Sequence, residues 1–289
     1  MTRPPVKFIL PAAPLLAALA VLVLSGGCSA RTLTVVDPCP ADGARMFSSC
    51  PLGEAGVTTT LSHGLVGHWH FDDGAGSTLA HDSSESGNPG TLVNLDPSTA
   101  WVMGHIGTYA LETGAVGYAS VARSASIDSI VHQVSMAAWM YLDGTIIDYA
   151  TAASRQIGNS FGQYYHLAIK MGGLPSAFIT TTRAPGTSVN TTKPPVQLLG
   201  SEAIPLQRWT HIAETYDGAT ARLYVNGALA GSQPTDGDFA IDSNPLILGG
   251  NGNGSMISER FPGRIDEIVL YNRALADDEV TQLASGVTF

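Results

Sequence analysis

Two histidines, His68 and His70, stand two residues apart in the chain. On a strand, positions i and i+2 face the same side, so both imidazoles would point one way. No third metal ligand accompanies them in the sequence, and the 8 histidines as a set show no zinc spacing. Cys39 and Cys50 likewise have no neighbouring His or third Cys to complete a metal set. In an oxidising, exported setting they read as one local disulfide. It would close a short Pro- and Gly-containing loop and contribute about 2–3 kcal/mol on the loop-entropy model. No Gly-x-Ser-x-Gly elbow supports a serine nucleophile. The glycine-rich run from Gly249 to Gly254 precedes no helical pattern, so it reads as an inter-strand loop rather than a phosphate cradle. Of the adjacent acid pairs, Asp72-Asp73 would diverge on a strand and Asp277-Asp278 suit the start of a helix. Neither makes a catalytic carboxylate pair.

These residues must be positioned by elements that the rest of the sequence specifies. The 289 residues carry 14 Lys+Arg against 24 Asp+Glu, a net charge of -10, with no basic tract. That balance excludes nucleic acid as a partner, which needs clustered cations. At 44% hydrophobic and only 13% charged, the chain is too apolar to be disordered. Residues 1–27 read as an export signal: Arg3 and Lys7 precede an apolar run from Phe8 to Leu24, and Ser25-Gly26-Gly27 lead into Cys28. Small residues running into a cysteine resemble a bacterial lipobox, which would make Cys28 a lipidated N-terminus and the protein a membrane-anchored envelope lipoprotein. Ordinary cleavage nearby is the alternative. Pro11 and Pro14 interrupt a run already short for a retained transmembrane helix. Residues 28–60, with Pro38, Pro40, Gly43, Gly53 and Gly56, read as a tether. Residues 61–289 form the folded domain.

That domain reads as an all-β, two-sheet antiparallel sandwich with one short C-terminal helix. In Gln133–Leu142, Val134, Met136, Ala138, Met140 and Leu142 share one face, while Ser135, Ala137, Trp139 and Tyr141 share the other. Asp217-Gly218 and Asn226-Gly227 mark two hairpin turns, giving the meander Trp209–Tyr216, Thr220–Asn226, Ala228–Ser232. Further strands are predicted at Gly67–Phe71, Ala110–Thr113, Tyr118–Ala122, Ile146–Tyr149, Tyr164–Lys170, Ala177–Thr181, Leu246–Gly249 and Gly263–Tyr271. The predicted helix spans Asp277–Ala284, with acids in its first turn and Ala276 as a poor N-cap. Thr182–Pro205 reads as long loops around a short Val196–Leu199 strand. Phe161, Tyr164 and Tyr165 near those loops are candidates for lining a ligand surface.

Several blocks together resemble the LamG-like (laminin G type 3) jelly-roll domain of the concanavalin A-like superfamily. They are Gly64-Leu65-Val66-Gly67-His68-Trp69-His70-Phe71-Asp72, Asp82-Ser83-Ser84, Trp209-Thr210-His211-Ile212, Leu223-Tyr224-Val225-Asn226-Gly227 and Gly263-Arg264-Ile265-Asp266-Glu267 running to Leu275. The resemblance spans about residues 64–284. A further block, Trp101…Gly104-His105-Ile106-Gly107…Ala110-Leu111, resembles the family too, but there the sequence departs from the family's Phe-Asp-Gly and Asp-Tyr-Val, having Leu111-Glu112-Thr113-Gly114 and Gly117-Tyr118-Ala119. The resemblance implies a jelly roll and a structural Ca²⁺ held by Asp82, Asn88 and Asp266, whose oxygen ligands suit that ion. It also implies binding of a glycan or an extracellular protein rather than catalysis. Related glucanases place Glu, Asp and Glu on alternate residues of one strand, and no Glu-x-Asp-x-Glu string occurs here. The expectation is therefore a non-catalytic, surface-tethered binding module, touching the membrane only through its lipid. A structural envelope protein is the first alternative and a glycoside hydrolase the second.

Overall fold

The computed structural model describes residues 60–157, 163–182, 194–287 and 289. All of the described residues fall within one compact unit, Val57–Phe289. Cys28, Cys39, Cys50 and Phe161 lie outside the described residues. Among the described residues no helix is long and apolar enough to cross a membrane.

Among the described residues eighteen strands build the fold. In chain order they are β1 Leu65–Trp69, β2 Leu79–Ala80, β3 Gly90–Val93, β4 Trp101–Met103, β5 Tyr109–Glu112, β6 Tyr118–Val121, β7 Val134–Leu142, β8 Tyr149–Gln156 and β9 Gln163–Lys170. Then come β10 Leu174–Ile179, β11 Val196–Leu199, β12 Trp209–Tyr216, β13 Thr220–Val225, β14 Ala228–Pro234, β15 Leu246–Leu248, β16 Asn251–Gly252, β17 Ile257–Ser258 and β18 Gly263–Tyr271. Sheet I has the order β14-β13-β12-β7-β18-β5-β4, with β1 also paired to β18, and sheet II the order β11-β10-β9-β8-β15-β6-β3-β2. Every strand pairing is antiparallel. This is the expected two-sheet jelly-roll sandwich. Among the described residues two helices accompany it: the four-residue α1 Ala125–Asp128, capped by the Ser124 hydroxyl, and α2 Asp277–Ala284.

The alternation of β7 decides the layers. Val134, Met136, Ala138, Met140 and Leu142 enter the main core with Trp69, Phe71, Leu167, Ile169, Ile212 and Ile265. Ala137, on the opposite face of β7, joins a second cluster with Ala213, Val269 and Tyr271, roofed by Val280 and Leu283 of α2. Thus α2 packs across the outer face of sheet I. Its N-terminus is tied by the Glu279 carboxylate, which accepts the Ala276 amide at 2.9 Å and pairs with Arg273 at 2.7 Å. The sequence expectation met its correction in β8. A strand was expected at Ile146–Tyr149, where the β-branched residues sit, yet the strand begins at Tyr149 and runs through Ala- and Ser-containing positions. Pairing with β9 and β15 on both sides outweighs local propensity there.

Candidate functional site

On sheet II, Tyr165, Leu167 and Ile169 of β9 point into the core, which turns His166 and Lys170 to the outer face. Thr151 of the neighbouring strand β8 has its hydroxyl 2.6 Å from His166 Nε2. The Thr151 hydroxyl and the Asn251 amide also donate to Glu259 Oε2, at 3.2 and 2.9 Å. Ser154 then donates to Asn251 Oδ1 at 3.2 Å. Burial holds His166 at about 3, so its imidazole is neutral. Burial also raises the Glu259 carboxyl above the usual range, against the Asn251 and Thr151 hydrogen bonds that lower it. Beside this polar chain runs an aromatic one. The Tyr149 ring meets Phe178 edge-on at 5.5 Å, Phe178 lies 5.2 Å from the His166 ring, and the Tyr149 hydroxyl accepts from Gln197 at 2.9 Å.

At one end of this face opens a pocket of about 520 Å³, lined among others by Ile146, Asp148, Tyr149, Glu259, Arg260 and Pro262. Its size falls in the range of small-ligand sites. The Arg260 Nε is buried with no hydrogen-bond partner among the described residues. The pocket therefore combines a half-buried aromatic ring, two carboxylates and a cationic donor. Such a set can stack on the apolar face of a sugar and hydrogen-bond its hydroxyls.

The outer face of sheet I carries a different set. Beyond the α2 roof, His211 and Trp139 are cross-strand partners on β12 and β7, their rings 5.4 Å apart, and the His105 ring lies 3.9 Å from Trp139. Trp209 and Tyr141 continue the row at 5.3 Å, with Arg264 over the Tyr141 ring at 4.7 Å. Burial holds His211 at about 3, hence neutral. At the far side His68 Nε2 and His70 Nδ1 reach the two oxygens of Glu267 at 2.6 and 2.8 Å. The expectation that His68 and His70 share a face is met, and the acidic third group is supplied from β18, 199 residues away.

The other expected site residues are placed as follows. Asp82 Oδ1 accepts the amides of His68 and Ser84 at 2.8 and 2.9 Å, and its Oδ2 accepts the Asn88 amide and the Ser84 hydroxyl at 2.7 and 2.8 Å. Its carboxylate is thus saturated by protein donors. Asn88 is buried, its side-chain amide donating to Val66 O and Ser126 Oγ. Asp266 lies on β18, accepting the amides of His105 and Ile106 on one oxygen and that of Glu267 on the other. Burial outweighs those bonds and lifts its carboxyl to about 7. Asp82 and Asn88 meet, whereas Asp266 serves the 104–107 loop, whose Gly107 has φ +71 and abuts Asp72 so closely that a side chain would collide. The three do not form an oxygen cage, and amide donors facing Asp82 do not fit a Ca²⁺ ligand. Tyr164 and Tyr165 are core residues, packed edge-on against Phe239 at 6.2 and 5.8 Å, so the expected ligand surface is not at their rings. Tyr149, Glu259 and Arg260 were missed because they meet only in the folded chain.

A family model described as the concanavalin A-like lectin/glucanases superfamily matches residues 113–281. No curated protein matches the chain. Among solved structures, domain 4 of the GH43 extracellular arabinanase AbnA from Geobacillus stearothermophilus, in complex with arabinotriose, is 22% identical with a TM-score of 0.54, covering 76% of this chain and 98% of that one. The binding domain of botulinum neurotoxin DC in complex with SialylT is 10% identical with a TM-score of 0.56, covering 80% of this chain and 53% of that one. The same toxin domain in complex with rat synaptotagmin II is 11% identical with a TM-score of 0.57, over 80% and 53% of the two chains. The chain thus spans about half the length of the toxin domains that it matches.

Proposed function

The chain belongs to the concanavalin A-like lectin/glucanases superfamily, and from that premise we propose that it is a non-catalytic binding module that takes glycans in the sheet II pocket beside Tyr149. The observation that carries this reading is the pocket of about 520 Å³, in which the Tyr149 ring, Asp148, Glu259 and Arg260 converge. Sugars present alternating apolar faces and hydroxyl edges, and one aromatic ring flanked by charged hydrogen-bonding groups answers both. Neighbours of the same fold are solved with arabinotriose and with SialylT. The neighbour solved with synaptotagmin makes an extracellular protein the second class of partner.

Two carboxylates in one pocket, one of them with a raised pKa, also favour a hydrolytic reading. Glu259 Oε2 argues for binding instead, since it is engaged by Asn251 and Thr151 in the framework of the sheet. In this reading the domain faces the outside of the cell, anchored through Cys28, and Cys28→Ala releases the protein from the membrane fraction.

The test is a glycan array probed with the purified full chain, carrying arabino-oligosaccharides and SialylT among its spots, followed by an assay for reducing sugar on every hit. Defined hits with no sugar released support the proposal. A blank array contradicts glycan binding and favours the structural envelope alternative. Sugar release that Glu259→Gln abolishes establishes the hydrolase.

A further inference from the structure

We propose that His68, His70 and Glu267 form a binding site for one divalent transition-metal ion of the zinc class. The site lies on sheet I, away from the sheet II pocket, and does not depend on the glycan reading.

The backbone commits these three side chains to one point. Trp69 is fully buried in the core, so its neighbours His68 and His70 are both turned to the outer face of β1. On β18 regular alternation would send Glu267 inward, because Ile265 faces the core and Asp266 faces out opposite Trp139. A β-bulge intervenes: the register shifts between Asp266 and Val269, and Glu267 takes φ 48. Ile268 then occupies the core, and Glu267 is re-aimed toward the histidines. Positive φ in a residue with a side chain is a strained choice that persists only where the surroundings fix it. Bulges that re-aim one side chain concentrate next to functional sites. Here Asp266 Oδ1 fixes the bulge by accepting the Glu267 amide at 2.9 Å.

The result is a compact donor set. His68 Nε2, His70 Nδ1 and a Glu267 oxygen all lie within 4.8 Å of one another, the one such group of His, Asp and Glu among the described residues. The two imidazole rings are only 3.8 Å apart. Two imidazole nitrogens and one carboxylate are the three protein ligands of an open tetrahedral zinc site. Imidazole nitrogen also selects zinc-class ions over Ca²⁺ and Mg²⁺, which take oxygen. Zinc bonds of about 2.0–2.2 Å set ligand atoms roughly 3.3 Å apart. The present pairs at 2.6 and 2.8 Å therefore need to open by less than about 1 Å when the ion replaces the shared protons. Space for an added ligand adjoins the site, in a cavity of about 10 Å³ bordered by His68, Ile106, Trp139, His211 and Glu267. That is close to the volume one water occupies. The His68 amide is held by Asp82 Oδ1 at 2.8 Å, which steadies the strand that presents both imidazoles. An ion here would clasp the edge strand β1 to β18 and raise stability by binding only the folded state.

The test uses the full chain stripped with EDTA and titrated with Co²⁺ and Zn²⁺, reading the visible absorption of tetrahedral Co²⁺, its displacement by Zn²⁺, and the melting temperature. One equivalent of Co²⁺ should develop the absorption, and Zn²⁺ should raise the melting temperature. His70→Ala and Glu267→Gln should each weaken binding by at least about tenfold. His81→Ala and His132→Ala, which remove the other exposed imidazole–carboxylate pairs, with Asp73 and Asp238, should leave it unchanged. His70 is partly exposed, so its variant keeps the fold even where the bulge variant does not. Absence of tetrahedral Co²⁺ absorption, or binding undiminished in folded His70→Ala, overturns the site and leaves a hydrogen-bonded clamp of two histidines on one glutamate.

Discussion

The outer face of sheet I is roofed along one part and polar along the rest, whereas that of sheet II opens into a pocket. Both faces arise from the same alternation, and each hides one neutral histidine, His211 on sheet I and His166 on sheet II. On sheet I, α2 lays Val280 and Leu283 over Ala137, Ala213 and Val269, and the 104–107 loop ties itself to Asp266. What remains there is a tight set of rings and one carboxylate around a cavity of about 10 Å³, room for a water or an ion but not a sugar. On sheet II the segments at 145–148 and 258–262 stand around about 520 Å³. Cover, more than residue type, separates the two faces.

The largest way to break this contrast is to disturb the roof. Val280→Asp would bury a lone carboxylate under α2 at a cost of about 4 kcal/mol, which for a domain of this size is a fall of roughly 8–16 °C in the melting midpoint by calorimetry. An unchanged midpoint would mean that α2 does not seal sheet I.

Next in size is Tyr149→Ala on the open face. Loss of a central aromatic anchor costs about 2 kcal/mol, or roughly 30-fold in glycan affinity by titration calorimetry. The midpoint should move far less than for Val280→Asp, since the ring is only half-buried and lies outside the main core cluster.

The two buried histidines give a smaller, pH-dependent effect of the same sign on both faces. Unfolded, each takes up a proton below its ordinary 6.5; folded, each resists until about 3. Proton uptake by the unfolded state therefore removes stability as pH falls through that window. Asp266, raised to about 7, works in the opposite direction, so the comparison must be variant against wild type. His166→Gln should lose a few degrees less than wild type in a melting series from pH 7 down to pH 4. A parallel pair of curves would show that His166 titrates normally. The smallest expected effect is that of Trp209→Ala, which lies in the aromatic row of sheet I and should leave glycan affinity within about twofold.

How much of this was legible in the sequence differs between the two faces. The sheet I meander, β18 and α2 could be read almost to the residue, because strict alternation, Asp-Gly and Asn-Gly turns and an acidic first turn all agree. His68 and His70 were visible as a pair, but Glu267 was not, since a bulge obeys no period. Sheet II was harder. The strands β2 and β3 are two and four residues long and carry no periodic signal. The pocket joins Tyr149 to Glu259 across 110 positions, through loops whose conformation local sequence does not specify. Asp82 and Asp266, the acids that the family resemblance singled out, turn out to hold backbone amides.

The central claim, that glycans enter the sheet II pocket, is tested most directly by isoleucine-methyl NMR on the full chain during titration with the best array ligand. Ile146 lines the pocket and Ile147 beside it is almost fully exposed, whereas Ile106 borders the small cavity of sheet I. The methyl signals of Ile146 and Ile147 should shift in proportion to saturation while that of Ile106 stays still. Shifts at Ile106 with none at Ile146 and Ile147 would place the ligand on the opposite face and contradict the account.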